Sequence, residues 1–217
     1  MKNIDEYLSK SRLSSFYVSN NDTKDLVLAR YLWNVELSKE LYLSLHFLEV
    51  VLRNTIHDSF KNHFQNEFWF NLPQFTDTKG SVQKATKEIK KNGVKTADDI
   101  VARLTLGFWC HLFNKDYDKI WHKTIKNTFP TLKNKKRSRA KLQPEIEAIR
   151  KLRNRVFHHE PIYNMKNLSV GYESIIEFIG GISPEVQQIV KEQCRFLSIL
   201  STGEQAFLPL AQKMLSP

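Results

Sequence analysis

Apolar side chains recur along this chain mostly at spacings of three and four residues, which is typical of helices rather than strands. The segment from Thr23 to Asn62 contains neither Gly nor Pro, so it predicts one long helix or two helices in series. An apolar stripe within this segment predicts the buried face, and it consists of Leu41, Leu45, Leu48, Leu52 and Ile56. Because Gly and Pro are few throughout, we predict an all-α fold.

Two further helices have recognisable start signals. Thr96, with Asp99 three residues later, resembles a capping box and predicts a helix that reaches about Leu106. Ser183 precedes a proline, an arrangement typical of an N-cap followed by the first helical position. We expect the helix that it opens to reach about Leu200.

The chain shows no low-complexity linker and no internal repeat, so we expect a single domain over residues 1–217. Cys110 and Cys194 lie far apart inside apolar helical patterns, which predicts free thiols and a reducing, cytoplasmic environment. The first residues lack an apolar signal core, and no stretch approaches the roughly 18 apolar residues of a membrane span. We therefore expect neither membrane association nor export.

The charge balance narrows the class of partner. The chain has 33 Lys and Arg against 23 Asp and Glu, a formal net charge of +10. An excess of this size favours an anionic partner, and nucleic acid is favoured over an acidic small molecule.

The segment Leu152–Pro161 combines two arginines, an amide and two histidines within about two helical turns. Arginine offers phosphate a fixed fork of donors and histidine exchanges protons near neutral pH, so the combination suits phosphodiester cleavage. The buried stripe of this motif helix is expected to be Ile146, Ile149, Leu152 and Val156. Asn154 and His158 then face away from the core, which makes His158 the candidate for proton transfer. His159 is expected to point towards the buried side and to make a structural hydrogen bond.

A structural interpretation of this segment stays open, because basic side chains in a last turn complement the helix dipole without any catalysis. We expect the helix to end near His159 or Glu160, since the residue before a proline disfavours the α region. Adjacent histidines on a helix diverge, and the chain lacks His-Glu-x-x-His and paired Cys-x-x-Cys spacings. We therefore expect no metal and no cofactor.

A second polar line runs along the long helix at steps of three and four residues, and consists of Tyr42, His46, Glu49, Arg53 and His57. Glu49 and Arg53 are spaced for an ion pair within the helix, and a solvated face is the alternative. If this line meets His158, it supplies a carboxylate that orients the imidazole and a second arginine for phosphate. We count Glu49, Arg53, His57 and His159 as possible supporting residues.

A basic run from Lys133 to Lys141 precedes the motif helix. It offers contacts to an RNA backbone, and the candidates are Lys135, Lys136, Arg137 and Arg139. A charge run is also a common solvated entry to a helix, so that alternative stays open.

Four segments together resemble a known family. Arg153-Asn154 followed by His158 matches the Arg-Asn-x-x-x-His motif of the HEPN superfamily of helical proteins. The wider pattern resembles the Abi-like (AbiD/AbiF-type) abortive-infection family in Tyr31–Asn34, Leu48–Asn54, Leu104–Trp109 and Leu152–Ile162. The similarity runs from near Tyr7 to Ile162. It implies a HEPN-like helical bundle with a core over roughly residues 22–162, and a C-terminal helical extension over residues 163–217 whose role it leaves open.

The resemblance implies a metal-independent endoribonuclease that acts in prokaryotic abortive infection or as a toxin. Arg153 would hold the scissile phosphate, Asn154 would position Arg153 or the substrate, and His158 would transfer protons. The family is usually dimeric with a composite site, and it implies RNA as substrate, with an antitoxin or a regulatory RNA as a possible further partner. The alternative is a catalytically inactive HEPN module that binds RNA or a protein partner.

Overall fold

The computed structural model describes residues 4–89 and 95–216, and the regular secondary structure of these residues is all helical, which confirms the all-α class. The α-helices are α1 (Ile4–Leu8), α2 (Lys10–Ser14), α3 (Lys24–Phe64), α4 (Lys79–Lys87), α5 (Ala97–Val101), α6 (Leu106–His111), α7 (Asp118–Thr128), α8 (Arg139–Phe157), α9 (Leu168–Ile182), α10 (Pro184–Gln193), α11 (Phe196–Thr202) and α12 (Leu208–Leu215). Short 3-10 helices cover Trp69–Asn71, Pro73–Thr78, Lys115–Tyr117 and Glu204–Phe207.

The long helix α3 is the central element of the fold. Of the two predicted alternatives, one long helix or two in series, the structure has a single helix of 41 residues, about 60 Å long at 1.5 Å per residue. Every residue of the predicted stripe is at most 2% exposed. The absence of Gly and Pro lets the helix continue without a break, and packing along its length supplies the stability that propensity alone does not.

The C-terminal helices bury their apolar side chains in the same core as α3 and α8. Ile175 of α9 and Phe196 of α11 join the hydrophobic cluster that contains Leu48 and Leu152. Ala211 of α12 packs in a smaller cluster against the first turns of α3. The predicted extension over residues 163–217 therefore covers α3 as far as its residues are described.

Buried polar side chains of α3 fix the positions of the segments around it. Asn34 accepts hydrogen bonds from the backbone N–H groups of Ile162 (2.7 Å) and Tyr163 (3.1 Å). Glu40 accepts one from the backbone N–H of Arg195 at 2.6 Å. A buried polar group that lacks a partner is costly, so these bonds specify where each segment docks.

The capping box of α5 is present, but the helix is shorter than predicted. Thr96 Oγ1 accepts from the Asp99 N–H at 3.1 Å, and the Asp99 carboxylate accepts from the Thr96 N–H. The helix ends at Val101 rather than near Leu106. The turn that follows is fixed by Trp109, whose indole N–H donates to the Leu104 carbonyl at 3.3 Å.

The start of α10 is also confirmed, because Ser183 Oγ accepts from the Val186 N–H at 3.2 Å. The prediction of a helix continuing to about Leu200 is wrong. The chain leaves the helical conformation at Cys194, and the Arg195 N–H binds Glu40 of α3 instead of a carbonyl one turn back. A tertiary hydrogen bond thus replaces a helical one.

Both cysteines are free, with Cys110 buried and Cys194 partly buried. Among the α-helices of the described residues, no helix combines the length and the apolar character that a membrane crossing requires.

Candidate functional site

The motif helix α8 turns its predicted stripe into the core. Each stripe residue is at most 6% exposed, and they are Ile146, Ile149, Leu152 and Val156. The opposite face of the helix is solvent-exposed at Ala148 and Lys151. Burial of the stripe therefore fixes the rotation of α8 and directs the polar motif residues outward.

The end of α8 is a tight C-terminal cap. The helix ends at Phe157, slightly earlier than predicted, and His158 is the C-cap residue. His159 has a φ of 57°, and the Glu160 N–H donates to the Arg155 carbonyl at 2.8 Å. This is a Schellman arrangement with a histidine at the left-handed position that glycine usually occupies.

The left-handed turn changes the expected roles of the two histidines. His158 is exposed as predicted, but the prediction that His159 points to the buried side is wrong, because His159 is also exposed. Its backbone no longer follows the helical rotation from which the prediction was made. The carbonyl of His159, rather than its ring, accepts a hydrogen bond from Arg12 Nη1 at 2.6 Å.

Arg153 lies on the flank of α8 that faces α3. Its guanidinium is 3.7 Å from the Glu49 carboxylate and lies over the ring of Phe157, 4.1 Å from the ring centroid. The side chain is 24% exposed, and its buried Nε has no hydrogen-bond partner. An arginine has five N–H donors, so donors remain for an anionic ligand.

Three members of the polar line on α3 lie in different environments, namely Glu49, Arg53 and His57. Glu49 meets the motif helix through Arg153 and not through His158, so the expectation that it orients the imidazole is not supported. Arg53 turns towards α5, where its Nη1 donates to the Ala102 carbonyl at 3.3 Å. The predicted pairing of Glu49 with Arg53 gives way to these two tertiary contacts.

His57 belongs to the core, away from the motif. It is 3% exposed, and its Nδ1 accepts a hydrogen bond from the Trp69 indole N–H at 3.0 Å. Its Nε2 lies 3.6 Å from an Asp98 carboxylate oxygen. Burial lowers the pKa of His57, so the ring is neutral at pH 7. Its spacing on α3 gave no signal that it would be buried.

The candidate RNA-binding residues of the basic run are largely engaged within the protein. Lys136 pairs with Glu177, and Arg139 donates to Asp118 at 2.7 Å. Arg137 Nε donates to the Leu132 carbonyl at 2.9 Å, and its Nη2 donates to the Pro130 carbonyl at 3.1 Å. The run thus holds the loop before α8 onto its neighbours, and of the four candidates only Lys135 is exposed.

Two cavities adjoin the end of α8. The larger has a volume of about 700 Å³ and lies between α1, α2, α3 and the last turn of α8. The smaller, about 290 Å³, is lined by His158 and by serines of α2 and its flanks. Arg12 and His159 line both cavities. Sequence reasoning missed Arg12, because no pattern relates position 12 to a helix end near position 158.

Arg153 and His158 occupy different flanks of α8, as their separation of about 140° on an ideal helix predicts. Arg153 faces α3, whereas His158 faces the smaller cavity beside α2. Asn154 lies between them and is partly exposed. The three motif side chains therefore do not lie on a single face of α8.

No family model, curated protein or solved structure matches this chain. The resemblance to the Abi-like family accordingly depends on the four sequence segments alone. No group of three or more His, Cys, Asp or Glu within residues 4–89 and 95–216 is placed to hold a metal ion.

Proposed function

We propose that this protein is a metal-independent endoribonuclease of the HEPN type. The observation that carries the proposal is the end of α8, where the Arg153 side chain is 24% exposed and His158 is an exposed imidazole five residues later. The two side chains supply phosphate binding and proton transfer, which are the requirements of RNA cleavage by internal attack. The net charge of +10 and the four-segment resemblance support the same proposal.

In the proposed reaction, the ribose 2′-hydroxyl attacks the adjacent phosphorus and the bond to the 5′-oxygen of the next nucleotide breaks. His158 transfers protons, Arg153 stabilises the negative charge that develops on the phosphoryl oxygens, and Asn154 positions Arg153 or the substrate. The products are a 2′,3′-cyclic phosphate and a 5′-hydroxyl. DNA lacks the attacking hydroxyl and is expected to resist cleavage.

We further propose a homodimer in which Arg153 of one copy acts with His158 of the other. The different flanks occupied by these residues support this arrangement. The solvent-exposed side of α8 also carries small residues at steps of four, Ala140, Pro144 and Ala148, which allow close approach of a second helix. The setting of abortive infection or a toxin, with an antitoxin or regulatory RNA as partner, follows from the resemblance alone.

The experiment is cleavage of mixed RNA by the purified protein in EDTA. We expect the wild type to cleave, and the His158→Ala variant to be about 10²- to 10⁴-fold slower, the usual contribution of a general acid or base. His122→Ala is the matched control, because His122 is an exposed histidine on α7 outside the motif. Cleavage of equal rate by the wild type and His158→Ala, or none by either, contradicts the mechanism.

The non-catalytic alternative gives a different result in the same samples. RNA binding would then be unaffected by His158→Ala, with no cleavage by any variant. Lys135→Glu is the suitable probe of binding to the RNA backbone, because Lys136 and Arg137 also make contacts within the protein that a substitution would remove. Loss of RNA binding in that variant without any cleavage in the wild type favours the binding module.

A further inference from the structure

We propose that the larger cavity beside α8 is a subsite for an unpaired nucleobase of the RNA, next to the scissile phosphate. The identity of the ligand as RNA rests on the proposed function. The cavity has a volume of about 700 Å³, within the range of small-molecule sites.

Aromatic side chains form the wall between α3 and α8. The rings of Tyr42 and Phe157 lie with their centroids 5.6 Å apart. The His46 ring stacks on Tyr42, with a distance of 6.1 Å between the two centroids. Tyr42 is nevertheless 52% exposed and Phe157 37% exposed. Exposed aromatic rings of this kind are the surfaces on which unpaired bases stack.

Two arginines lie near this cavity. Arg153 lies over the Phe157 ring, 4.1 Å from its centroid, and Arg12 lines the cavity together with His159. A base against Tyr42 would place its attached phosphates near one or the other guanidinium. The wall therefore combines stacking with phosphate binding, the combination that single-stranded nucleic acids require.

The cavity also leads to both flanks of the motif. Phe157 lines the cavity and contacts Arg153. Arg12 and His159 line both this cavity and the smaller one, which His158 also lines. An RNA strand with its base in the larger cavity can thus reach either flank at the end of α8. In a duplex both faces of each base are already stacked, so the subsite selects unpaired RNA.

The test measures RNA affinity with the full-length His158→Ala protein, so that cleavage does not consume the ligand. Fluorescence anisotropy is recorded with a labelled single-stranded 12-mer RNA and with the same RNA in a duplex. A second substitution, Tyr42→Ala, is expected to weaken binding of the single strand roughly 5- to 100-fold, the usual effect of losing one base–aromatic stack. Tyr42→Phe retains the ring and is expected to bind within about twofold of the parent.

Tyr17→Ala is the matched control, because Tyr17 is similarly exposed and lies outside the lining of both cavities. The inference is overturned if Tyr42→Ala binds like Tyr17→Ala, if the duplex binds as tightly as the single strand, or if the parent binds no RNA. Light scattering of the same proteins measures whether they are dimers. If Tyr42→Ala converts a dimer into a monomer, the larger cavity is a subunit contact and the inference fails.

Failure of the subsite and failure of the nuclease are distinguishable. If the wild type cleaves RNA in EDTA while affinity is independent of Tyr42, the proposed function stands and the subsite does not. If binding of unpaired RNA depends on Tyr42 while the wild type never cleaves, the subsite stands in a binding protein.

Discussion

His57 links a single buried ring to the acid stability of the protein. Burial lowers its pKa below the ordinary value of 6.5, and the unfolded chain regains that ordinary value. Between the two pKa values only the unfolded state binds the proton, so protonation favours unfolding. The contribution of the neutral His57 ring to the free energy of unfolding is therefore complete above pH 6.5 and is lost as the pH falls towards the folded pKa.

We therefore expect the free energy of unfolding of the wild type to decrease as the pH is lowered from 7 to 5. His57→Gln retains an acceptor for the Trp69 indole but does not titrate, so its stability should fall less over the same interval. Urea denaturation at a series of pH values measures both slopes. Equal slopes would show that the His57 proton is not linked to folding.

At the scale of residues, the sequence predicts side-chain direction well where a helix is regular and poorly where it ends. Ile146 and Leu152 are buried because helical rotation places them there. His159 is exposed because one residue in the left-handed region redirects the chain, a feature that the pattern of apolar residues does not encode. His57 lay outside prediction for another reason, since its burial depends on Trp69, 12 residues away.

At the scale of elements, the loop between α7 and α8 is held by the basic residues that first suggested RNA binding. Arg137 donates to carbonyls at Pro130 and Leu132 on the same loop. Removing the guanidinium leaves the partly buried Leu132 carbonyl without this donor.

Arg137→Ala is accordingly expected to lower the free energy of unfolding by about 1–3 kcal/mol. Lys135→Ala removes the same sign of charge from an exposed position on the same loop and is expected to change stability by less than about 0.5 kcal/mol. Chemical denaturation of the two variants beside the wild type compares them. A loss of similar size in both would mean that charge, rather than the hydrogen bonds of Arg137, stabilises the loop.

The starts of helices were more predictable than their ends. Thr96 and Ser183 are caps whose partners lie three residues away, so the signal is local. The ends of α5 and α10 are set by Trp109 and Glu40 through contacts with groups that the local sequence does not identify. Element type followed from periodicity, whereas boundaries followed from tertiary hydrogen bonds.

At the scale of the whole molecule, the proposed dimer makes α8 both an interface and a site. Ala148→Gln places a larger, uncharged side chain on the exposed line of small residues and should separate the copies. Light scattering is expected to show a dimer for the wild type and a monomer for this variant, with RNA cleavage reduced in parallel.

Ala206→Gln is the control for this experiment, since Ala206 is an exposed alanine outside α8 and should leave both mass and cleavage unchanged. A wild type that is a monomer and still cleaves RNA would remove the composite site. The motif residues would then have to meet around the end of α8 within one chain.

The arrangement of helices around α3 has a consequence for synthesis of the protein on the ribosome. The helix is complete once Phe64 has been made, but Ile175, Phe196 and Ala211 of the cores that cover it come from the last quarter of the chain. Until then the part of the apolar surface of α3 that these residues cover stays open to solvent, and exposed apolar surface of this kind favours aggregation. The proposed nuclease activity is therefore expected only after the last helices have been made and packed.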